Sequence, residues 1–227
     1  SGVTEVERRS VIEAAEEAIQ RYRPKLMYVI PTFQNPTGRT LSLERRRQLA
    51  ALAAKYGVVL AEDDPYRDVR FAGTPLPSIK SFDESGWVVY LGSFSKVIAP
   101  GLRVGFAVVD NDELLRKMVI GKQATDVHSP LINQAIVDGY LRSGRMPGHL
   151  TRICADYKAR LQVMLDALGK LPPSVTFTRP EGGLFVWAQL PEGADALKML
   201  GAAIEKNVAF VPGTHFYFDG GHLNTLR

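Results

Sequence analysis

SFSKVIAPGLRVG, residues 93–105, is the most informative stretch of this chain, because it sets an amine, hydroxyls and a guanidinium around one turn. The preceding WVVYL, residues 87–91, is a short apolar run rich in β-branched and aromatic residues. It predicts a buried strand that ends at Gly92 and Ser93. Lys96 therefore lies in a loop at the carboxyl end of a strand. Ligands of open parallel α/β sheets bind at that edge.

These side chains suit an aldehyde cofactor that carries a phosphate group. Lys96 is placed to form a Schiff base with pyridoxal phosphate. Ser93, Ser95 and Arg103 can then hold the phosphate with hydroxyl and guanidinium donors. A serine and a lysine alone would indicate solvated loop residues, since surface lysines are common. The complete string favours the cofactor site.

Two upstream segments repeat this pattern of an apolar run followed by polar residues. They are LMYVIP-TFQNPTG over residues 26–38 and VVLA-EDDPY over residues 58–66. Asn35, Asp63 and Lys96 follow one another at intervals of roughly 30 residues, the length of a βαβ unit. The spacing predicts an α/β fold whose parallel strands bring these polar residues to one edge of the sheet.

The first crossover between strands has clear helix boundaries. Ser42 is a suitable N-cap and Gly57 a suitable C′ residue, which predicts a helix over residues 43–56. Asn111, with the aspartates on either side of it, can cap a later helix. Further helices are predicted over 112–120, 128–142, 148–169 and 194–206, and strands over 104–109 (buried), 175–178, 184–190 and 208–211.

With these motifs the chain resembles the fold-type I pyridoxal-phosphate aminotransferases of class I/II. FQNPTG, EDDPY, GSFSK with PGLRVGF, RPEGGLFVW, NVAFVPG and NTLR occur in the family's order and cover nearly the whole chain. The sequences of these motifs are most similar to those of the 2-aminoadipate and kynurenine aminotransferase branch. The resemblance implies a mainly parallel sheet with helices on both faces, part of a smaller α+β C-terminal domain, and pyridoxal 5′-phosphate as cofactor.

The resemblance also implies a reaction and a role for each site residue. Lys96 would bind the cofactor covalently and move a proton as general acid and base. Asp63 would pair with the pyridine nitrogen, while Tyr66 and Asn35 would donate to the cofactor's phenolic oxygen. Arg227 would hold the substrate α-carboxylate, which Asn35 would also contact. The amino group would pass between an L-amino acid (2-aminoadipate-like, aromatic or branched aliphatic) and 2-oxoglutarate.

The neighbouring aspartates of EDDPY leave one ambiguity in this assignment. The family pattern places the ring-binding aspartate three positions before the tyrosine, which selects Asp63 from the position of Tyr66. Asp64 is then expected to be a loop or turn residue.

The same resemblance implies that parts of the protein lie outside this sequence. A large cofactor-binding domain is expected over residues 1–160, without its N-terminal part, and an incomplete small domain over residues 161–227. Family members carry a ring-stacking aromatic and further phosphate ligands in a longer N-terminal segment, and more helix follows NTLR. We therefore expect a fragment or a partial chain, so a DNA-binding domain or a targeting signal before Ser1 stays open.

Composition excludes several classes of protein. Hydrophobic residues make up 45% and charged residues 23% of the chain, near the values of globular proteins. The net charge of +4 comes from scattered basic residues, so nucleic acid is not an expected partner. The single cysteine excludes an intramolecular disulfide, and the isolated histidines predict no metal site. Residues 1–10 lack the apolar core of a signal peptide, and no apolar run has the length of a membrane span. A cytoplasmic homodimer is expected.

Three function classes fit the sequence. The first is an amino-acid aminotransferase. The complete FQNPTG motif, as opposed to a degenerate version, and Arg227 favour this class. The second is an aminotransferase-like effector domain of a GntR/MocR-type transcription regulator. The third is a pyridoxal-phosphate lyase, because fold and lysine are shared among reactions that differ in the fate of the carbanion.

Overall fold

The structure, a computed structural model, describes residues 11–227, so the segment inspected for a signal peptide lies outside the described residues. The chain forms two compact units. Unit 1 contains the described residues up to Pro31 together with Leu41–Asp68 and Thr74–Pro147. Unit 2 contains Thr32–Thr40, Val69–Gly73 and Gly148–Arg227. The predicted large and small domains, divided after residue 160, stay a prediction.

Unit 1 is built on a sheet of four strands in the order β1-β2-β3-β4. The strands are β1 (Leu26–Val29), β2 (Val59–Asp63), β3 (Val88–Ser93) and β4 (Gly105–Val108). The first three run parallel, and β4 runs antiparallel to β3. The predicted α/β fold with a mainly parallel sheet is confirmed. Because β2 and β3 are parallel, their carboxyl ends meet at one edge.

Strand β4 corrects the prediction of a buried strand over residues 104–109. All four of its residues are exposed. Its apolar composition indicated burial, but among residues 11–227 β4 is the last strand of the order and pairs only with β3. The pairing brings the Phe106 ring over Gly92, where an added Cβ would lie 2.3 Å from a ring carbon. The glycine at that position therefore leaves room for the Phe106 ring.

Helix α2 (Leu43–Tyr56) follows the predicted boundaries. The Ser42 hydroxyl accepts a hydrogen bond from the Arg45 amide, and Gly57 adopts the left-handed conformation with φ of 61°. Both ends are therefore closed by the residues that the sequence indicated. The apolar face of α2 packs against β2, β3 and the loop that joins these two strands in a buried cluster, where each large side chain contributes about 1.5 to 3 kcal/mol. The cluster comprises Leu49, Ala50, Ala53, Leu60, Ile79 and Val88.

A fully buried arginine lies on the same helix. The Arg46 guanidinium donates to the carbonyl oxygens of Leu41 at 3.1 Å, Pro77 at 3.0 Å and Pro31 at 2.9 Å. Pro31 and Leu41 are the residues at which the chain leaves and re-enters unit 1. Arg46 therefore binds the backbone at both ends of the segment 32–40, which belongs to unit 2.

A buried carboxylate on β2, that of Glu62, holds a loop in place in a similar way. Glu62 accepts hydrogen bonds from the backbone amides of Ile79 and Lys80, each at 2.7 Å. Burial raises the pKa of Glu62, although these bonds and Arg46 act against the shift. Glu62 fixes the far end of the loop that begins directly after β2.

The other helices of unit 1 are α1 (Val11–Tyr22), α3 (Asp112–Thr125) and α4 (Leu131–Arg142), and α5 (Met146–Leu168) continues into unit 2. Asn111 caps α3 through a bond from the Leu114 amide, as predicted. Helix α4 begins three residues later than predicted, because Pro130 occupies its N-cap position. Among the described residues, none of the helices has the length and apolar character needed to cross a membrane.

Unit 2 contains a three-stranded antiparallel sheet and one further helix. The elements are β5 (Thr176–Phe177), β6 (Ala188–Gln189), α6 (Ala196–Glu205) and β7 (Thr225–Leu226). The predicted strand over residues 208–211 is wrong. Val211 exchanges both backbone hydrogen bonds with Arg227, at 3.0 and 2.8 Å, and Pro212 forms an isolated bridge with Leu226, but residues 208–210 form no strand. β-branched composition alone cannot show that this pairing is so short.

Candidate active site

The carboxyl edge of the unit 1 sheet carries most of the predicted site residues. Asp63 ends β2, Ser93 ends β3, and the half-buried Lys96 lies in the turn that follows β3. Tyr66 lies in the turn after β2 and is 6% exposed. Two adjacent parallel strands thus position an acid, a hydroxyl and an amine at one edge.

The turn that presents Lys96 is held by the backbone. The amides of Val97, Ile98 and Ala99 lie 3.3, 2.8 and 3.3 Å from the carbonyl oxygen of Phe94. The Phe94 amide in turn donates to the carbonyl of Val104 at 3.1 Å. Backbone contacts therefore set the position of Lys96.

Ser93, Ser95 and Arg103 come together beside this turn. The Ser93 hydroxyl accepts from the Ser95 amide at 3.1 Å, and Arg103 Nη1 lies 3.4 Å from Ser95 Oγ. Arg103 has a φ of 53°, in the left-handed region, directly after the 3₁₀ turn Pro100–Leu102. Two hydroxyls and a guanidinium form a donor set that fits a phosphate group, with an amine nearby for an aldehyde.

Asp63 has a partner that the sequence analysis missed. The hydroxyl of Tyr28 on β1 donates a hydrogen bond to Asp63 Oδ2. The β1-β2 register places Tyr28 beside Ala61, two residues before Asp63 on the same face of the sheet. This diagonal spacing is within reach of an aromatic side chain. The alternation of side chains between the two faces of a strand was therefore a signal in the sequence that could have indicated the contact.

Asp64 lies in the loop after β2, as predicted, but its side chain is fully buried. Its carboxylate is 3.7 Å from Arg67 Nη1. Burial raises the pKa of the Tyr90 hydroxyl, and the charge of Asp64 adds to that shift. Asp63 is the more accessible of the two aspartates, and its selection as the ring-binding residue stays a prediction.

In unit 2 the structure brings Asn35 and Arg227 together. Arg227 Nη1 donates to Asn35 Oδ1 at 2.7 Å, across 192 positions of sequence. The loop that carries Asn35 is closed by a bond from the Gln34 amide to the carbonyl of Arg39 at 2.9 Å. Because Oδ1 faces the guanidinium, the amide nitrogen of Asn35 and its two N–H donors point elsewhere.

Two aromatic rings flank the Arg227 guanidinium. Its central carbon lies 4.4 Å from the centre of the Phe185 ring and 5.3 Å from that of Phe216. Trp187 packs edge-on against Phe216 with ring centres 5.8 Å apart. Cation–π contacts and the Asn35 bond together orient the planar guanidinium.

A mostly apolar cavity of about 740 Å³ lies within unit 2, with Arg227 among its lining residues. An apolar wall beside a guanidinium can accept a ligand that joins an anionic group to an apolar chain. The wall includes Tyr157, Leu161, Met164, Phe185, Val208 and Phe210.

The predicted site residues thus form two groups. One lies in unit 1 around Asp63 and Lys96, and the other in unit 2 is the pair Asn35 and Arg227. Within residues 11–227, no group of three or more histidine, cysteine, aspartate or glutamate side chains could hold a metal ion.

Comparison with known proteins places these features in context. The model of the family described as "Aminotransferase class I and II" matches residues 6–227. The chain is 46% identical over 220 residues to the 2-aminoadipate transaminase of Thermus thermophilus, covering 95% of the chain and 55% of that relative. The chain spans about half the length of the curated relatives that it matches.

Solved structures share the fold. The kynurenine aminotransferase of Pyrococcus horikoshii, solved in complex with PMP, KYN and KYA, has a TM-score of 0.90 at 41% identity. The match covers 99% of this chain and 55% of that one. The alpha-aminoadipate aminotransferase of Thermus thermophilus, solved with N-(5′-phosphopyridoxyl)-L-leucine, has a TM-score of 0.88 at 43% identity. That match covers 95% of this chain and 56% of the other.

Proposed function

The chain belongs to the class I and II aminotransferase family, and we propose that the complete protein is a pyridoxal-phosphate-dependent transaminase. The resemblance read from the motifs and the fold-type I architecture are both confirmed. One observation carries the proposal. Ser93, Ser95 and Arg103 converge beside the turn of Lys96, at the edge where Asp63 ends the neighbouring strand.

The donor set at this edge fits pyridoxal 5′-phosphate. The serine hydroxyls and the guanidinium would bind the phosphate, and Asp63 would accept a hydrogen bond from the protonated ring nitrogen. When bound, pyridoxal phosphate supplies an electron sink for the pair left at the substrate Cα. Lys96 Nζ would hold the cofactor and, once released by the substrate, would take the proton from the substrate Cα and return it at C4′ of the cofactor.

The remaining site residues would orient the reactants. Tyr66 would donate a hydrogen bond from its hydroxyl, and Asn35 one from its side-chain N–H, to the phenolic oxygen of the cofactor. Arg227 would bind the substrate α-carboxylate through two parallel N–H bonds, which a planar guanidinium can make and an ammonium cannot. Asn35 Oδ1 supports this role, because it already fixes one edge of that guanidinium at 2.7 Å.

The proposed amino donors are L-amino acids that are 2-aminoadipate-like, aromatic or branched aliphatic, with 2-oxoglutarate as acceptor. Relatives named for aminoadipate and kynurenine support this class. The apolar cavity beside Arg227 supports the aromatic and aliphatic donors. We extend the proposal to a homodimer in the cytoplasm, as the family resemblance implies.

Borohydride reduction of the cofactor-loaded complete protein tests the proposal. Peptide mass mapping should find the reduced adduct on Lys96, and Lys96→Ala should lower turnover by roughly 10²- to 10⁴-fold, the usual contribution of a general acid–base group. Lys122 is the matched control, since its ammonium bonds to Asp126 at 2.7 Å on an exposed helix end. Lys122→Ala should keep wild-type turnover.

Other results would reject the assignment. An adduct on Lys122 would remove Lys96 from its role. A protein that holds the cofactor but forms no 2-oxo acid from any donor would favour the regulator. A decarboxylated or eliminated product would favour the lyase.

A further inference from the structure

Tyr28 lies on the face of β1 that carries Asp63 on β2. Met27 and Val29 alternate with Tyr28 and pack against the buried cluster beneath α2. Tyr28 points to the opposite face and is 60% exposed, so its ring contributes little to that core. Its hydroxyl is instead engaged with Asp63 Oδ2.

This contact uses one oxygen of the carboxylate. A carboxylate has two acceptor oxygens, so a donor on Oδ2 leaves Oδ1 for a second partner and restrains rotation of the group. Partial burial and the hydrogen bond to Asp63 raise the pKa of Tyr28. The phenol therefore stays protonated, and a donor, throughout the neutral pH range.

We propose that Tyr28 is a positioning residue, whose hydroxyl holds the Asp63 carboxylate so that its free oxygen accepts the hydrogen bond of the protonated pyridine nitrogen. This inference rests on the proposed function, in which Asp63 binds that nitrogen. Tyr28 itself does not bind the cofactor in this arrangement. Its effect should therefore depend on the ring nitrogen and disappear when the nitrogen is absent.

A second tyrosine gives a matched control. The Tyr56 hydroxyl donates to the carboxylate of Glu16 at 2.7 Å, at the end of α2 and within the same unit. Tyr56→Phe and Tyr28→Phe each remove one phenol-to-carboxylate hydrogen bond. Only Tyr28→Phe removes it from Asp63.

The test measures binding of two cofactors to the complete protein freed of cofactor. One is pyridoxal phosphate, and the other is 1-deazapyridoxal phosphate, in which a C–H group replaces the ring nitrogen. Absorbance titration should show that Tyr28→Phe weakens pyridoxal phosphate about tenfold, in line with loss of a hydrogen bond to a charged group. Binding of the deaza analogue should not change. Tyr56→Phe should bind both as the wild type does.

An unchanged affinity for pyridoxal phosphate in Tyr28→Phe would overturn the inference, and so would an equal loss for both cofactors. The Asp63→Asn variant separates this failure from failure of the proposed function. Asp63→Asn should bind the two cofactors with similar affinity, and adding Tyr28→Phe to it should have no further effect. If Asp63→Asn still prefers pyridoxal phosphate as strongly as the wild type, Asp63 is not the ring partner.

Discussion

At the scale of single residues, Arg227 combines a charge with a restricted orientation. The Phe185 and Phe216 rings flank its guanidinium, and Asn35 accepts one of its N–H bonds. Preorganisation of this kind lowers the entropy that a flexible side chain loses when it binds a ligand. An α-carboxylate is common to both substrates of a transaminase, so one guanidinium can serve both half-reactions.

Under the proposed function, Arg227→Lys should therefore raise the KM for the amino donor and for the proposed acceptor, 2-oxoglutarate, alike. Loss of the paired, charge-assisted contact should cost about 2 to 4 kcal/mol, or roughly thirty- to a thousandfold in kcat/KM. Steady-state kinetics of the complete protein provide the measurement. Arg179 is a suitable control, because its guanidinium also stacks on a ring, that of Phe177, at 5.0 Å. A KM that hardly changes in Arg227→Lys, or rises equally in Arg179→Lys, would contradict the role of Arg227.

At the scale of elements, α2 connects the first two strands of the parallel sheet. Its N-cap Ser42 satisfies one amide of the first turn, and its C-terminal Gly57 donates to the carbonyls of Ala53 and Ala54. The buried face of α2 then covers β2 and β3, whose carboxyl ends carry Asp63 and Ser93. The stability of this helix therefore affects the edge where the site lies.

Replacement of the N-cap tests this element. Ser42→Ala should lower the free energy of unfolding by about 1 kcal/mol, because the Arg45 amide loses its acceptor. Urea unfolding should show a lower midpoint with an unchanged slope. Ser42→Asp retains a side-chain acceptor and should stay within a few tenths of a kcal/mol of the wild type, as roughly equivalent N-caps do. Equal destabilisation by both changes would show that the cap bond is not the cause.

At the scale of the whole molecule, the response to acid depends on the few carboxylates whose pKa folding lowers. Asp83 has a fully buried side chain, which bonds to Lys80 Nζ at 2.9 Å and accepts from the Val88 amide at 2.9 Å. Burial opposes its ionisation, but the hydrogen bonds from Lys80 and the backbone prevail and lower the pKa of Asp83 to about 2. These contacts hold the loop that leads into β3.

An aspartate in the unfolded chain titrates near pH 4, so the stabilisation by ionised Asp83 is complete above that pH and is lost as the pH falls towards about 2. The contribution is on the order of 2 kcal/mol. Asp83→Asn should be less stable than the wild type at pH 7, with the difference shrinking below about pH 4.

Urea unfolding across this pH range measures the difference. Asp138 provides the control, because its pair with Arg142 is on the surface, where ion pairs contribute little. A gap between wild type and Asp83→Asn that is constant from pH 7 to pH 2 would contradict the assignment.

The sequence by itself determined the elements whose causes are local. The apolar runs before Asp63 and Ser93, the N-cap Ser42 and the left-handed Gly57 are each visible within a few neighbouring residues. The spacing of about 30 residues between the polar segments then indicates parallel strands joined by crossovers. Local propensity and periodicity are enough for these predictions, because the apolar runs, caps and turn residues that specify each segment lie within or directly beside it.

Only the tertiary structure decided which of these segments pair and what their side chains meet. The exposure of β4, the absence of a strand over residues 208–211 and the contact of Tyr28 with Asp63 all depend on neighbours distant in sequence. Asn35 and Arg227 lie 192 positions apart and meet only in the folded chain. Such contacts arise from strand order, register and packing, and the composition of a single segment does not encode them.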